Sequence, residues 1–143
     1  MQHDMINAYL TTRYRLLEPD LVIRIGQQHP RLDQWLERIG EKRWALITAW
    51  NPYSRDTPDE VNHEAQAALR EACQPYQIFP ARGEPDVGEN WTAEDSLLVT
   101  GVSRADAMQH CREFKQNAIV YGEAGSAAEL LVSPDAQFPP NGT

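Results

Sequence analysis

The stretch from Trp44 to Ser54, Trp-Ala-Leu-Ile-Thr-Ala-Trp-Asn-Pro-Tyr-Ser, constrains this chain most. An apolar run carrying two tryptophans breaks off at Asn51-Pro52. Such a run, closed by a turn signal, reads as a buried strand that delivers a polar loop to the surface. Trp44 and Trp50 are an even number of residues apart, which puts both indoles on the same side of the sheet. The rest of the chain must supply the elements that bury this segment.

Those elements are readable from periodicity. Ile6, Tyr9, Leu10 and Tyr14 share a helical face and predict a helix from Asp4 to about Arg13. Leu21, Ile23 and Ile25 alternate as a strand. Pro30 opens a second helix with Leu32, Leu36 and Ile39 inward, and Gly40 stands where a left-handed cap is expected. Thr57-Pro58-Asp59-Glu60 has the residues of a capping box and starts a third helix, which ends before Pro75. Tyr76 to Phe79 is a short strand closed by Pro80, and residues 81–95 read as a long polar loop. Ser96 to Gly101 is a strand, and a helix capped by Ser103 runs to about Lys115. Ala118 to Tyr121 then returns as a strand, which makes a βαβ unit with parallel strands. Glu129 to Val132 adds an edge, and the proline-bearing tail from Ser133 has little to bury.

The fold class that follows is α+β. A single domain over residues 1–132 holds a mixed sheet of about five strands with helices packed on it, including the C-terminal βαβ unit. Residues 133–143 are expected to form a disordered tail. At 143 residues, 41% apolar and 24% charged, the composition is that of one globular domain.

Charge narrows the partners. The net charge is −8, with residues 1–43 at +1 and the remainder at −9. Nucleic acid, which is bound by neutralising phosphates with Lys and Arg, is therefore disfavoured. No apolar run approaches the roughly 18 residues of a membrane span, and the N-terminus lacks a basic-then-apolar signal, so no membrane partner and a cytoplasmic setting are expected. Cys73 and Cys111 form no Cys-x-x-Cys pair and read as small buried side chains.

No Gly-x-Gly-x-x-Gly, Gly-Lys-Ser/Thr, His-Glu-x-x-His or Gly-x-Ser-x-Gly motif is present, and the four histidines are dispersed. Neither a metal nor a cofactor is expected. What remains is a set of polar residues at strand ends, where ligands bind in α/β sheets. Asn51 to Ser54 lies at one such end. The Asn51 amide either fixes a ligand or holds its own turn, and Trp50 or Tyr53 can wall an apolar or planar ligand. Glu94, Asp95 and Ser96 mark the entry to the next strand; the two carboxylates are the acid/base groups if chemistry occurs, with Glu94 the catalytic candidate. Gln116 either presents its amide to a ligand or caps the preceding helix. Arg24 interrupts an apolar strand and needs an anionic partner if buried.

Leu21 to Gln27, Leu46 to Ser54, Asn62, Trp91 to Gly101 with its Glu94-x-Ser96, and Phe114 to Val120 with Gln116 resemble the bacterial domain of unknown function 3293. The likeness runs from about Ala8 to Val132. It implies a single-domain cytoplasmic bacterial protein, brings no activity, and adds Asn62 to the candidate ligand-binding residues.

Two functions are consistent with this pattern, and a third follows from the charge. The first is a non-catalytic ligand-binding or regulatory module with a polar pocket at strand ends. The second is a small hydrolase or transferase with Glu94 as general base and Asn51 polarising a carbonyl. The third is a protein-protein interaction module with an acidic surface.

Overall fold

The computed structural model describes residues 2–138. In chain order the elements are helix α1 (Gln2–Thr11), strands β1 (Arg13–Leu16) and β2 (Leu21–Ile23), helix α2 (Pro30–Ile39), strand β3 (Arg43–Ile47), helix α3 (Asp59–Ala72), strands β4 (Gln77–Glu84) and β5 (Glu94–Thr100), helix α4 (Arg104–Glu113), and strands β6 (Ala118–Glu123) and β7 (Glu129–Val132). All seven strands join one sheet in the order β2-β1-β4-β5-β3-β6-β7, and every neighbouring pair is antiparallel.

That topology corrects the expected mixed sheet of about five strands. The central three strands, β5-β3-β6, are apolar on both faces: Ala45, Leu46, Ile47, Leu98, Val99, Ile119 and Val120 are all buried. A strand of that kind needs cover above and below and a partner on each edge. β3 therefore takes the middle and separates β5 from β6. Those two strands do run parallel to each other, each being antiparallel to β3, but they share no ladder, so the βαβ unit is split.

Two apolar clusters flank the sheet. Ala45, Ile47, Leu97 and Val99 pack with Leu69 of α3, with Cys73 just past its end, and with Ala107 and Cys111 of α4. Trp44, Leu46, Leu98 and Leu16 pack on the opposite side with Leu32 and Leu36 of α2. The sheet curls around α2 until its ends meet. The Gly26 N–H after β2 donates to the Ala128 carbonyl before β7 at 2.7 Å, and the Ala128 N–H donates to Gln27 at 3.0 Å. Trp44 is admitted by Gly122 on the neighbouring strand, where a Cβ would sit only 2.3 Å from the indole.

Several local readings also change. The first helix stops at Thr11, and Arg13 to Leu16 is a strand whose period-2 alternation turns Tyr14 and Leu16 inward. β4 does not end at Pro80 but runs through it to Glu84. The Pro80 carbonyl accepts from Leu17 N–H, one residue past the end of β1. A residue's N–H and C=O face the same neighbour in a strand, so the missing donor falls where β1 has finished and costs no ladder bond. β3 ends at Ile47, so the parity argument does not reach Trp50, which meets His63 of α3 edge-on at 5.0 Å.

Helix ends follow the expected signals in two cases. Gly40 is left-handed after α2, and Ser103 Oγ accepts from the Asp106 N–H at the start of α4. At α3 the helix forms but the capping box does not. No side chain caps its first turn, and the Thr57 hydroxyl donates to the Arg55 carbonyl instead. Among the described residues no helix is long and apolar enough to cross a membrane. The expected tail lies outside the described residues from 139 onward. Before that, Ser133 N–H donates to the Asn117 carbonyl and Gln137 N–H to the Asn117 side chain.

Candidate functional site

A cavity of about 380 Å³ opens at the end of the sheet where β3 stops and β5 begins. Its floor follows from strand register. Tyr14 pairs with Gly83, and Gly83 with Glu94. By alternation Tyr14, Gly83, Glu94 and Ser96 extend the same sheet face as Leu16, Ala81 and Leu98. Tyr9 and Thr12, at the C-terminal end of α1, form one wall. Trp50, Asn51 and Ser54 from the loop after β3 form another, with Trp91, Asp56 and Gln116 also in the lining.

Of the residues singled out from sequence, Trp50, Asn51, Ser54, Glu94, Ser96 and Gln116 all line this cavity. Arg24 and Asn62 do not. Arg24 pairs with Asp86 at 3.0 Å, so the acidic loop supplies the anion its half-buried position needs. Asn62 is fully buried beneath the loop. Its Oδ1 accepts from Asn51 N–H at 2.8 Å, and its Nδ2 donates to Asn51 Oδ1 and to the Thr57 carbonyl. Asn62 therefore holds the loop from below.

The loop's shape explains why Asn51 is asparagine. Its backbone is left-handed (φ 46°), as are Tyr53 and Ser54, a region that asparagine visits more easily than other non-glycine residues. Asn51 Oδ1 also accepts from Thr57 N–H at 3.1 Å. That oxygen is committed to the loop. The Nδ2 of the same amide makes no hydrogen bond among the described residues.

Gln116 is 5% exposed. Its Nε2 donates to the carbonyls of Trp50 and Phe114, both at 3.2 Å, so it ties the end of α4 to the Trp50 loop. Its Oε1 has no donor among the described residues. Ser96 Oγ donates to the Ile47 carbonyl, and Thr48 Oγ1 donates to the Asp95 carbonyl at 2.6 Å. These hydroxyls secure the strand ends that form the floor.

Several acids elsewhere in the chain stand beside an arginine. Glu84 lies near Arg13 and Arg15, Asp86 pairs with Arg24, Glu129 with Arg104 and Asp135 with Arg112. Glu94 has no such partner among the described residues. Burial, and then the nearby Asp56 carboxylate, push its pKa up to about 7. Burial also pushes Tyr9 up to about 12, opposed by the Ser54 hydroxyl beside it, and pushes Tyr14 further upward. The site is thus a polar cavity with aromatic walls and a carboxyl that exchanges its proton near neutrality.

Sequence reasoning missed the α1 and β1 side, Tyr9, Thr12 and Tyr14, together with Thr48, Asp56 and Trp91. The alternation Arg-Tyr-Arg-Leu at 13–16 was the available signal for β1, but Tyr14 also fits the helical spacing before it. Among the described residues no three His, Cys, Asp or Glu side chains gather to hold a metal ion.

The chain belongs to the family described as Protein of unknown function (DUF3293), whose model matches residues 47–119. The matched segment carries Trp50, Asn51, Asn62, Glu94, Ser96 and Gln116, whereas Tyr9, Thr12 and Tyr14 lie before it. No curated protein and no solved structure matches the chain.

Proposed function

We propose that this protein is a non-catalytic ligand-binding module whose cavity takes a small polar organic molecule. The observation that carries the reading is convergence. Segments far apart in the chain enclose one cavity of about 380 Å³, within the span of roughly 300–1,000 Å³ common to small-molecule sites. Polar groups in its lining, among them the Glu94 carboxyl, Gln116 Oε1 and Asn51 Nδ2, make no hydrogen bond among the described residues. A cytoplasmic setting fits, since Cys73 and Cys111 are buried, free thiols.

Thermal-shift screening against a metabolite library tests the proposal. A ligand at a hundred times its Kd adds about 2.7 kcal/mol of stability. Gly83→Leu should abolish the shift by filling the cavity, because a Cβ at Gly83 meets only Thr12 and Tyr14 atoms at ordinary contact distance. A shift that survives Gly83→Leu places the ligand elsewhere and defeats the reading.

One observation favours a second reading, a small hydrolase or transferase with Glu94 as general base. A carboxyl titrating near 7 suits proton transfer at neutral pH, and Asn51 lines the same cavity with Nδ2 available to a substrate carbonyl. Under this reading Glu94→Gln lowers kcat about 10²–10⁴-fold with binding retained. Turnover unaffected by that change removes it.

A further inference from the structure

Resting on the binding reading above, we infer that the cavity is a receptor for a small organic cation. An ammonium, amidinium or guanidinium group would be seated between the Glu94 carboxylate and the aromatic wall.

The first ground is charge. The lining includes Asp56, Glu94 and Asp95 and, among the described residues, no lysine, arginine or histidine. A phosphate or carboxylate ligand would meet like charge there without a compensating basic side chain among the described residues. A cation would supply the counter-charge that Glu84, Asp86, Glu129 and Asp135 find within the fold and Glu94 does not. An ionised carboxylate held partly out of water without a partner is costly, and pairing it recovers that cost.

The second ground is independent of the acids. Gln116 is 95% buried and lines the cavity, with both of its hydrogen bonds made through Nε2. Its Oε1 accepts no hydrogen bond among the described residues. A ligand carrying several N–H groups satisfies Glu94 and Gln116 together, which a ligand rich in acceptors does not. The third ground is the wall. Tyr9, Tyr14, Trp50 and Trp91 bring four aromatic rings to the lining, and ring faces attract cations, most strongly where water is excluded.

Binding is coupled to a proton. The groups facing Glu94 are Asp56 from the loop before α3, Tyr9 from α1 and Tyr14 from β1, whereas Asp95 alternates onto the opposite face of β5. Burial holds both tyrosines neutral through the physiological range. The cation displaces the Glu94 proton to solvent, so affinity falls as pH drops below about 7 and approaches a tenfold loss per pH unit.

Charge-matched probe sets test the inference by calorimetric titration of the full chain. One set is benzamidine, benzamide and benzoate; the other is cyclohexylamine, cyclohexanol and cyclohexanecarboxylate. At pH 8 the cation of each set should bind at least about tenfold tighter than its neutral and anionic counterparts, a gap of about 1.4 kcal/mol. The preference should disappear in Glu94→Gln, which keeps its fold, and Gly83→Leu should bind none of the six. Neutral or anionic probes that bind as tightly as the cations overturn the charge class and leave the binding reading standing. Cations with Kd weaker than about 10 mM overturn this inference, whereas the library screen judges the binding reading separately.

Discussion

Glu94 ties the stability of the protein to pH with a definite sign. Its folded pKa, about 7, stands above the ordinary carboxylate value, so the folded state holds the proton more tightly than the unfolded chain. The resulting stabilisation is fully present below about pH 4.5 and is lost as pH rises toward 7. Glu94→Gln, which never ionises, should match the parent near pH 4.5. Above pH 7.5 it should be more stable by on the order of 2 kcal/mol, allowing for the partial exposure of the carboxyl. Urea denaturation at the two pH values reads the difference, and a variant equally offset at both would contradict the assignment. Asn62 shows the opposite economy, a fully buried amide with every bond internal. Asn62→Ala strands Asn51 N–H and the Thr57 carbonyl and should cost about 2–4 kcal/mol in the same denaturation experiment. Asn51→Gly keeps the left-handed backbone and should cost less, about 1–2 kcal/mol, for the lost Oδ1 contacts.

At the scale of elements, the strands and helices differ in how openly the sequence announces them. α2 and α4 were legible because Pro30, Gly40 and Ser103 act on bonds within a turn or two of themselves. At α3 the residues of a capping box were present but unused, since the Asn51–Asn62 pair draws Thr57 into the loop. Ser103→Ala should therefore cost about 1 kcal/mol, whereas Thr57→Ala should change the midpoint of thermal unfolding little. A comparable loss in both would show that Thr57 caps α3 after all. β1, β4 beyond Pro80 and the separation of β5 from β6 were illegible for a different reason. Each depends on which strand lies alongside, and alternation within one strand does not name its neighbour. The contact between Trp44 and Gly122 is of this kind. Gly122→Ala should destabilise by about 3 kcal/mol or more, and Trp44→Leu in that background should recover part of the loss by freeing the space.

For the whole molecule, closure of the sheet through Gly26, Gln27 and Ala128 and the assembly of the cavity are connected. The curl that wraps α2 also turns the row Tyr14, Gly83, Glu94 and Ser96 toward α1. The loop that ends β3 and the turn that begins β6 complete the opposite wall. Six of the eight residues chosen from sequence meet there because polar residues placed just past buried strands have few other places to go. Arg24 pairs with Asp86 of the acidic loop instead, and Asn62 holds the Asn51 loop from below. The aromatic side contributed by Tyr9 and Tyr14 comes from the ends of weakly patterned elements and emerges only when the chain is folded.

The carboxyl carbon of Glu94, followed by ¹³C NMR through a pH titration with and without benzamidine, tests this account most directly. The midpoint should lie near 7 in the free protein and fall by about one unit or more with the cation bound, each unit being about 1.4 kcal/mol of coupling. A free midpoint close to the ordinary 4.5 of glutamate, or one that the cation leaves in place, would contradict it.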